Sequence, residues 1–179
     1  MTNQIVKLSL LAVIFGLQLV MEKSSAVVIT GGSLNTNHAK TAHGLIRGTD
    51  RFSIVGVIDD KNAGKDAGVV LDGKHRDISV FSSIQEFIRS GKKARYCVIG
   101  VATKGGIMPE SLRALLKEAL ENGLSLVNGL HEYIVDIPEL ADLAKQKGLE
   151  IIDVRKPKKI KDLHFWSGAI QEVTCPKIA

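Results

Sequence analysis

The first residues able to bind an anion surround the pair Gly31-Gly32, which follows an apolar run and precedes a polar helix start. In such a turn, free backbone N–H groups and the positive end of a helix dipole point at one place, which favours a negatively charged ligand. Asn35, Thr36 and Lys40 would add side-chain donors to this loop. The alternative is a strand-to-helix turn that needs small residues for packing alone.

Lys40, His43 and Arg47 form a row of basic and titratable side chains at spacings of three and four residues. That spacing places all three on one face of a helix. Two cations and a titratable imidazole in one row could hold a carboxylate or a phosphate. A solvated outer face of the helix is the equally supported alternative.

Two further groups of candidate ligand-binding residues follow the second and fourth apolar runs. Asp59 closes the second run, where a carboxylate often holds ribose hydroxyls in nucleotide-binding sheets, although it could instead cap a turn. Lys104, Gly105 and Gly106 come after the fourth run. The glycines would let a ligand approach the backbone closely, and Lys104 would pair with an anion.

The fifth apolar run is followed by Asn128 and Gly129, which are expected to line the same ligand site. His131 and Glu132 would support acid/base chemistry if both faced the ligand, although adjacent loop residues rarely do so. The sequence contains no serine-histidine-aspartate arrangement and no metal-ligand spacing, so no metal is predicted.

The elements that must position these residues alternate between apolar runs and helical patterns. This alternation predicts an α/β fold, a three-layer Rossmann-like domain with a mostly parallel sheet. Six strands are predicted, at residues 26–30, 53–58, 78–81, 96–101, 124–127 and 150–154. A capping-box pattern at 83–86 and prolines at 109 and 138 mark helix starts between them.

The predicted sheet also predicts where a ligand binds. Strand order should reverse between the first strand and the strand at 96–101, and open sheets bind ligands at that crevice, outside the strand C-termini. The polar or glycine-rich loops at 31–40, 59–68, 102–106 and 128–132 are therefore expected to converge on one small-molecule site.

Composition excludes some functions. The 179-residue chain has a net charge of +5, but its densest run of lysines is the short segment at 156–161, and aromatic residues make up only 4%. Without stacking aromatics or a duplex-reading motif, nucleic-acid binding is not expected. Cys97 lies inside an apolar run and is predicted to be a small buried hydrophobe rather than a reactive thiol.

Three segments are predicted: an apolar N-terminal extension at 1–25, the Rossmann-like domain at 26–157, and a linker with the start of a missing domain at 158–179. The apolar stretch at 8–21 is shorter than the roughly 18 residues of a membrane-spanning helix. A cytoplasmic protein without membrane association is expected. The alternative is an exported protein, with residues 1–26 as a signal peptide.

Together, these residues resemble the N-terminal half of a bacterial two-domain family long catalogued as a domain of unknown function, which includes D-glutamate N-acetyltransferases. The resemblance runs from residue 26 to residue 179. It rests on the segments at 35–47, 55–59, 63–68, 129–131 and 153–157. It implies a Rossmann-like half followed by a P-loop domain as its partner, with acetyl-CoA as the acetyl donor.

The implied function is the N-terminal domain of a D-glutamate N-acetyltransferase-like protein that binds an anionic nucleotide-type ligand such as acetyl-CoA. Lys40, Arg47 and Lys104 would then hold carboxylates, and His43 or His131 would accept the proton. Because the P-loop half is absent, the chain alone is expected to be inactive. The alternative is a non-catalytic nucleotide-sensing or partner-docking domain, and a homo-oligomer is compatible with either function.

Overall fold

The computed structural model describes residues 23–157, which form a six-stranded sheet in which all neighbouring strands are parallel. The strands are β1 (Ser24–Ile29), β2 (Phe52–Ile58), β3 (Val80–Phe81), β4 (Tyr96–Ile99), β5 (Ser125–Asn128) and β6 (Ile151–Asp153). The predicted Rossmann-like α/β fold is therefore confirmed. Every predicted strand is present, with its ends moved by at most two residues.

The order of the strands is β3-β2-β1-β4-β5-β6, so the order reverses between β1 and β4, as predicted. Val28 lies opposite Val57 of β2 on one side and Val98 of β4 on the other. Because every strand runs the same way, all the C-terminal ends meet at one edge of the sheet, which we call the rim. The four loops predicted to converge all leave the sheet at this rim.

Five α-helices are described: α1 (Lys40–Arg47), α2 (Ala67–Asp72), α3 (Ile84–Arg89), α4 (Glu110–Glu121) and α5 (Pro138–Lys147). The helices form two layers, and the packing of alternate β1 residues shows which helix lies in which layer. Ala26 and Val28 pack with residues of α1 and α2, whereas Val27 and Ile29 pack with residues of α3, α4 and α5. All four β1 side chains are fully buried, as a strand covered on both faces requires.

Cys97 of β4 lies in the layer that contains α4 and α5. Its side chain is fully buried, as predicted, and this burial raises the pKa of the thiol to about 12. No helix within residues 23–157 combines the length and the apolar character needed to cross a membrane.

Two sequence predictions need adjustment at the ends of elements. The predicted extension at 1–25 lies outside the described residues except at 23–25, and β1 already begins at Ser24. The predicted segment at 158–179 also lies outside them. In the capping box, Ser83 accepts from Glu86 N as expected, but the Glu86 carboxylate accepts from the N–H and hydroxyl of Ser82 rather than from the N–H of Ser83.

Gly100, directly after β4, lets the start of α1 pack closely against the sheet. Its N–H donates to the Ile29 carbonyl at 2.9 Å, and its carbonyl accepts from Ala42 N at 3.0 Å. A Cβ at this position would lie 2.5 Å from Cγ1 of Val28 and 2.8 Å from Cβ of Ala42. Only glycine at position 100 therefore leaves room for this close packing of α1 against β1.

The substitution Gly100→Ala is expected to lower the free energy of unfolding by about 1–3 kcal/mol, because the added methyl overpacks this contact. Gly44→Ala in α1 is the matched control. A Cβ there meets nothing within 4 Å, so alanine should stabilise the helix by about 0.5–1 kcal/mol. Urea denaturation of both variants measures the difference. Equal effects of the two substitutions would contradict this packing.

Asp66 caps α2 and holds the chain that leads to β3. One carboxylate oxygen accepts from the N–H groups of Gly68, Val69 and Arg76, and the other accepts from Ile78 N at 2.9 Å. Burial alone would raise the pKa of Asp66. The N–H donors and the nearby His75 lower it by a larger amount, so the pKa of Asp66 lies below its usual value. The carboxylate thus stabilises the fold only while it is ionised.

A depressed pKa means that the unfolded chain binds the Asp66 proton more readily than the folded chain does. The Asp66 contribution is therefore complete above the unfolded value of 3.8 and is lost as pH falls through the lower folded value. Asp66→Asn should accordingly be destabilising at pH 6, and the gap to the unsubstituted chain should shrink towards pH 3. Urea denaturation across this range measures the gap. The exposed Asp142→Asn control should show no such trend.

Candidate functional site

Two adjoining clefts open at the rim. The β1/β4 cleft, of about 340 Å³, lies between the loops after β1 and β4 and the start of α4. The β4/β5 cleft, of about 450 Å³, lies between the loops after β4, β5 and β6. Val101, Ala102 and Thr103 line both clefts and form the wall that they share. Both volumes fall within the range of ordinary small-molecule sites.

The β1/β4 cleft combines an apolar floor with basic and hydroxyl groups at its edge. Leu112 and Leu115 supply apolar surface, while Lys104, His38 and Ser111 supply polar groups. Pro109 and Ser111 at the start of α4 line this cleft, and no side chain caps the first turn of the helix, so its N-terminal end lies at the cleft. An elongated ligand with an anionic end and an apolar part fits this arrangement.

The β4/β5 cleft contains an arginine and a histidine. Arg155 follows β6, and its Nε donates to the Gly129 carbonyl at 2.7 Å. His131 and the hydroxyl-bearing Thr41 and Thr103 also line the cleft. The described lining residues include no aspartate or glutamate, so the field inside the cleft favours an anion.

The position of His131 depends on the glycine that faces it. Gly105 and Gly106 adopt φ values of +68° and +70°. A Cβ on Gly106 would lie 2.6 Å from Cδ2 of His131, so only glycine leaves room for this ring. The predicted close approach at these glycines is thus made by the protein's own histidine at Gly106, while Gly105 lines the β4/β5 cleft.

Glu132 does not form an acid/base pair with His131, in keeping with the expectation that adjacent loop residues rarely face one ligand together. Its Oε1 lies 2.6 Å from Nη2 of Arg113, and its Oε2 accepts from Met108 N. The N–H of Glu132 also donates to the Gly106 carbonyl. Glu132 therefore ties the loop after β5 to the loop after β4, and His131 is left without a carboxylate from its neighbour.

Asp59 does not fit the predicted ribose contact, because its carboxylate is fully buried. Oδ2 accepts from the Thr30 hydroxyl at 2.7 Å and from Leu34 N at 2.9 Å. Oδ1 accepts from the backbone N and side-chain Nδ2 of Asn62 at 3.0 and 2.8 Å. The carboxylate thus holds the loops after β1 and β2 together, and both of its oxygens are hydrogen-bonded to groups of the protein itself.

Asn128 is likewise a structural residue rather than a ligand contact. Its side chain is fully buried, donates to the Glu132 carbonyl and to Asp153 Oδ1, and accepts from Leu130 N. Asp153, at the end of β6, also accepts from the N–H groups of Ile134 and Val135. This network fixes the loop after β5, of which Gly129 lines the β4/β5 cleft.

The first glycine turn contributes less to the clefts than predicted. Gly31 lines the β1/β4 cleft, but Gly32 is buried, and a Cβ there would lie 2.8 Å from Oδ1 of Asp60. Thr36 donates to the Ser33 carbonyl and caps a short 3-10 turn. Asn35 is exposed and lines neither cleft. The turn is therefore chiefly stabilised by its own contacts.

The row of Lys40, His43 and Arg47 lies on α1 as predicted but lines neither cleft. Nε2 of His43 lies 2.6 Å from the Leu34 carbonyl and must donate to it, because a carbonyl only accepts. Arg47 lies 3.8 Å from Asp72 of α2. The packing of α1 against α2 thus turns the row away from the shared wall, so a catalytic role for His43 there does not fit this placement.

The predicted residues that the structure brings to the two clefts are Gly31, Lys104, Gly105, Gly106, Gly129 and His131. Sequence reasoning missed Arg155 and did not select Thr103, which lies in the predicted loop after β4. Arg155 could have been found, because it follows a predicted strand and must therefore lie at the same rim.

Residues 60–157, more than half of the chain, match the family described as a domain of unknown function (DUF1611_N), Rossmann-like domain. The fold is similar to the crystal structure of a DUF1611 family protein from Anabaena variabilis, with a TM-score of 0.71 and 33% sequence identity. That match covers 86% of this chain and 43% of the other. The family resemblance predicted from the sequence is confirmed.

Two curated relatives are named D-glutamate N-acetyltransferase. The protein from Pseudoalteromonas is 33% identical over 75 residues, which is 42% of this chain and 22% of the relative. The protein from Tritonibacter scottomollicae is 42% identical over 64 residues, which is 36% of this chain and 19% of the relative. The matched segments thus span about a fifth of either relative.

The buried position of Asp59 makes a stability prediction. Asp59→Asn should lower the free energy of unfolding by about 2–3 kcal/mol, because the new amide group faces an N–H donor and leaves it without an acceptor. Asp60→Asn is the matched control, since Asp60 is the exposed neighbour and should change little. Urea denaturation of both variants tests this, and a destabilisation shared by Asp60→Asn would argue against the buried network.

Proposed function

Because this chain belongs to the DUF1611_N family of Rossmann-like domains, we propose that it is the N-terminal domain of a D-glutamate N-acetyltransferase-like protein. In this proposal the rim binds acetyl-CoA, and a P-loop domain supplies the rest of the enzyme. The names of the two curated relatives support this assignment. Since they match over about a fifth of their length, acetyl transfer is proposed for the whole protein and not for this segment alone.

The observation that carries the proposal is the pair of clefts with one shared wall. Acyl transfer brings two substrates together, and their reacting atoms must approach to about 3–3.5 Å. Val101, Ala102 and Thr103 separate the clefts by the thickness of a single loop. A site with two adjoining compartments at the rim suits a two-substrate reaction better than it suits a single ligand.

The β1/β4 cleft has the features expected for binding acetyl-CoA. Leu112 and Leu115 would contact the apolar parts of the ligand, and Lys104 would contact its phosphates. Ser111 and the open N-terminal turn of α4 add donors at the same edge. We therefore assign anion binding to Lys104 in this proposal. Lys40 and Arg47 line neither cleft and are not assigned this role.

The chemistry would take place at the shared wall. The amino group of the acceptor loses one proton, its nitrogen bonds to the thioester carbonyl carbon, and the carbon–sulfur bond breaks. A second proton leaves the nitrogen, and one of the two protons converts the departing thiolate into a thiol. His131 is the imidazole that lines the β4/β5 cleft, and in this proposal it accepts the first proton.

Lys104→Gln should weaken acetyl-CoA binding by roughly threefold to tenfold, equivalent to about 0.7–1.4 kcal/mol, because a charge partner of the phosphates is lost. Isothermal titration of this chain with acetyl-CoA, CoA, ATP and NAD measures the effect. Lys93→Gln is the matched control, since Lys93 is an exposed lysine that precedes β4, at the opposite edge of the sheet, and should leave binding unchanged.

The same titrations separate the proposed function from its alternative. Acetyl-CoA binding to this chain, together with acetylation of D-glutamate by the full-length Pseudoalteromonas relative, would support the N-acetyltransferase assignment. Binding of ATP or NAD in preference to CoA compounds would instead favour a nucleotide-sensing domain. If no CoA compound bound and the relative formed no acetylated product, the proposed function would be wrong.

A further inference from the structure

We infer that the β4/β5 cleft is the carboxylate-binding subsite for the acceptor amino acid, and that Arg155 is the residue that binds the carboxylate. The inference rests on the proposed function for the identity of the acceptor. It assigns a location and a specificity-determining residue to a substrate whose carboxylates were predicted to contact Lys40, Arg47 and Lys104.

The hydrogen bonding of Arg155 orients its guanidinium group for a ligand. Nε is held by the Gly129 carbonyl at 2.7 Å, which fixes one edge of the planar group. Within residues 23–157, no carboxylate lies within 4.0 Å of its nitrogens. The two terminal nitrogens are therefore available to bind both oxygens of one carboxylate, the geometry for which a guanidinium is suited.

The acidic residues around the cleft are already engaged by other partners. Glu132 is paired with Arg113, and Asp136 is paired with Lys156 at 2.7 Å. Asp153 accepts from Asn128, Ile134 and Val135. Arg155 is thus a cation in a cleft whose nearby carboxylates are occupied, and an anionic ligand would supply the missing counter-charge.

Thr103 provides a second polar feature, on the wall that faces both clefts. Its hydroxyl is the one buried side-chain oxygen within residues 23–157 that has no hydrogen-bond partner. A buried hydroxyl without a partner is unfavourable, and a polar ligand group placed at this wall would satisfy it. With the carboxylate at Arg155, the amino group of the acceptor would lie towards Thr103 and His131, next to the β1/β4 cleft.

The experiment compares binding of two probes, D-glutamate and glutarate, to this chain by isothermal titration. Glutarate has two carboxylates but no amine, so it isolates carboxylate recognition. Arg155→Gln should lower the binding affinity for both probes at least tenfold. Arg155→Lys should restore part of the affinity, because it keeps the charge but loses the two-point contact. Lys156→Gln, the same charge change one residue later, should have little effect, since Lys156 already pairs with Asp136.

Acetyl-CoA binding in the Arg155→Gln variant distinguishes the two levels of the proposal, and it also checks that the variant is folded. Unchanged acetyl-CoA affinity with lost D-glutamate affinity supports the subsite. If Arg155→Gln leaves the D-glutamate affinity unchanged, or if Lys156→Gln lowers it equally, the subsite is wrong but the proposed function still stands. Arg155-dependent binding of D-glutamate without any acetyl-CoA binding would support the subsite and count against the proposed function.

Discussion

The carboxylate of Asp59 accepts four hydrogen bonds, and these bonds determine how the rim is built. They join the loops after β1 and β2, which leave the sheet on one side of the reversal point. Asp153 at the end of β6 has the corresponding role on the other side, where it holds the loop after β5. Two strand-end carboxylates are therefore engaged by the protein's own N–H and hydroxyl groups and hold the loops beside them.

This construction changes what the Rossmann-like frame can bind. In dinucleotide-binding sheets an acid after the second strand holds a ribose, and the first helix receives the pyrophosphate at its N-terminus. Here Asp59 is buried, and the N–H of Ala42 at the start of α1 already donates to Gly100. The β1/β4 cleft accordingly lies at the loop after β4 and the start of α4, where polar groups remain available, and the proposed ligand would bind there.

The sequence predicts the frame well because strands buried on both faces leave continuous apolar runs, and their order follows from the alternation with helices. It predicts side-chain direction poorly. Lys40, His43 and Arg47 do share a face, but the direction of that face depends on Asp72 and Leu34, which the helix pattern does not contain. The inward turn of Asp59 similarly requires Thr30, 29 residues away. Such contacts are set by tertiary packing.

Under the proposed function, the shared wall would place two substrates side by side, so that the domain could take part in catalysis with few acid/base groups in its clefts. The wall is fixed on one side by the bond from Ala102 N to the His38 carbonyl, and Glu132 binds the same loop on the other side. Its residues are small, and two glycines follow them, so two ligands would be separated by little more than backbone. Positioning of two substrates supplies a large part of the rate enhancement in such reactions. Under the proposed function, rigid placement of the two reactants would therefore be the contribution of this domain.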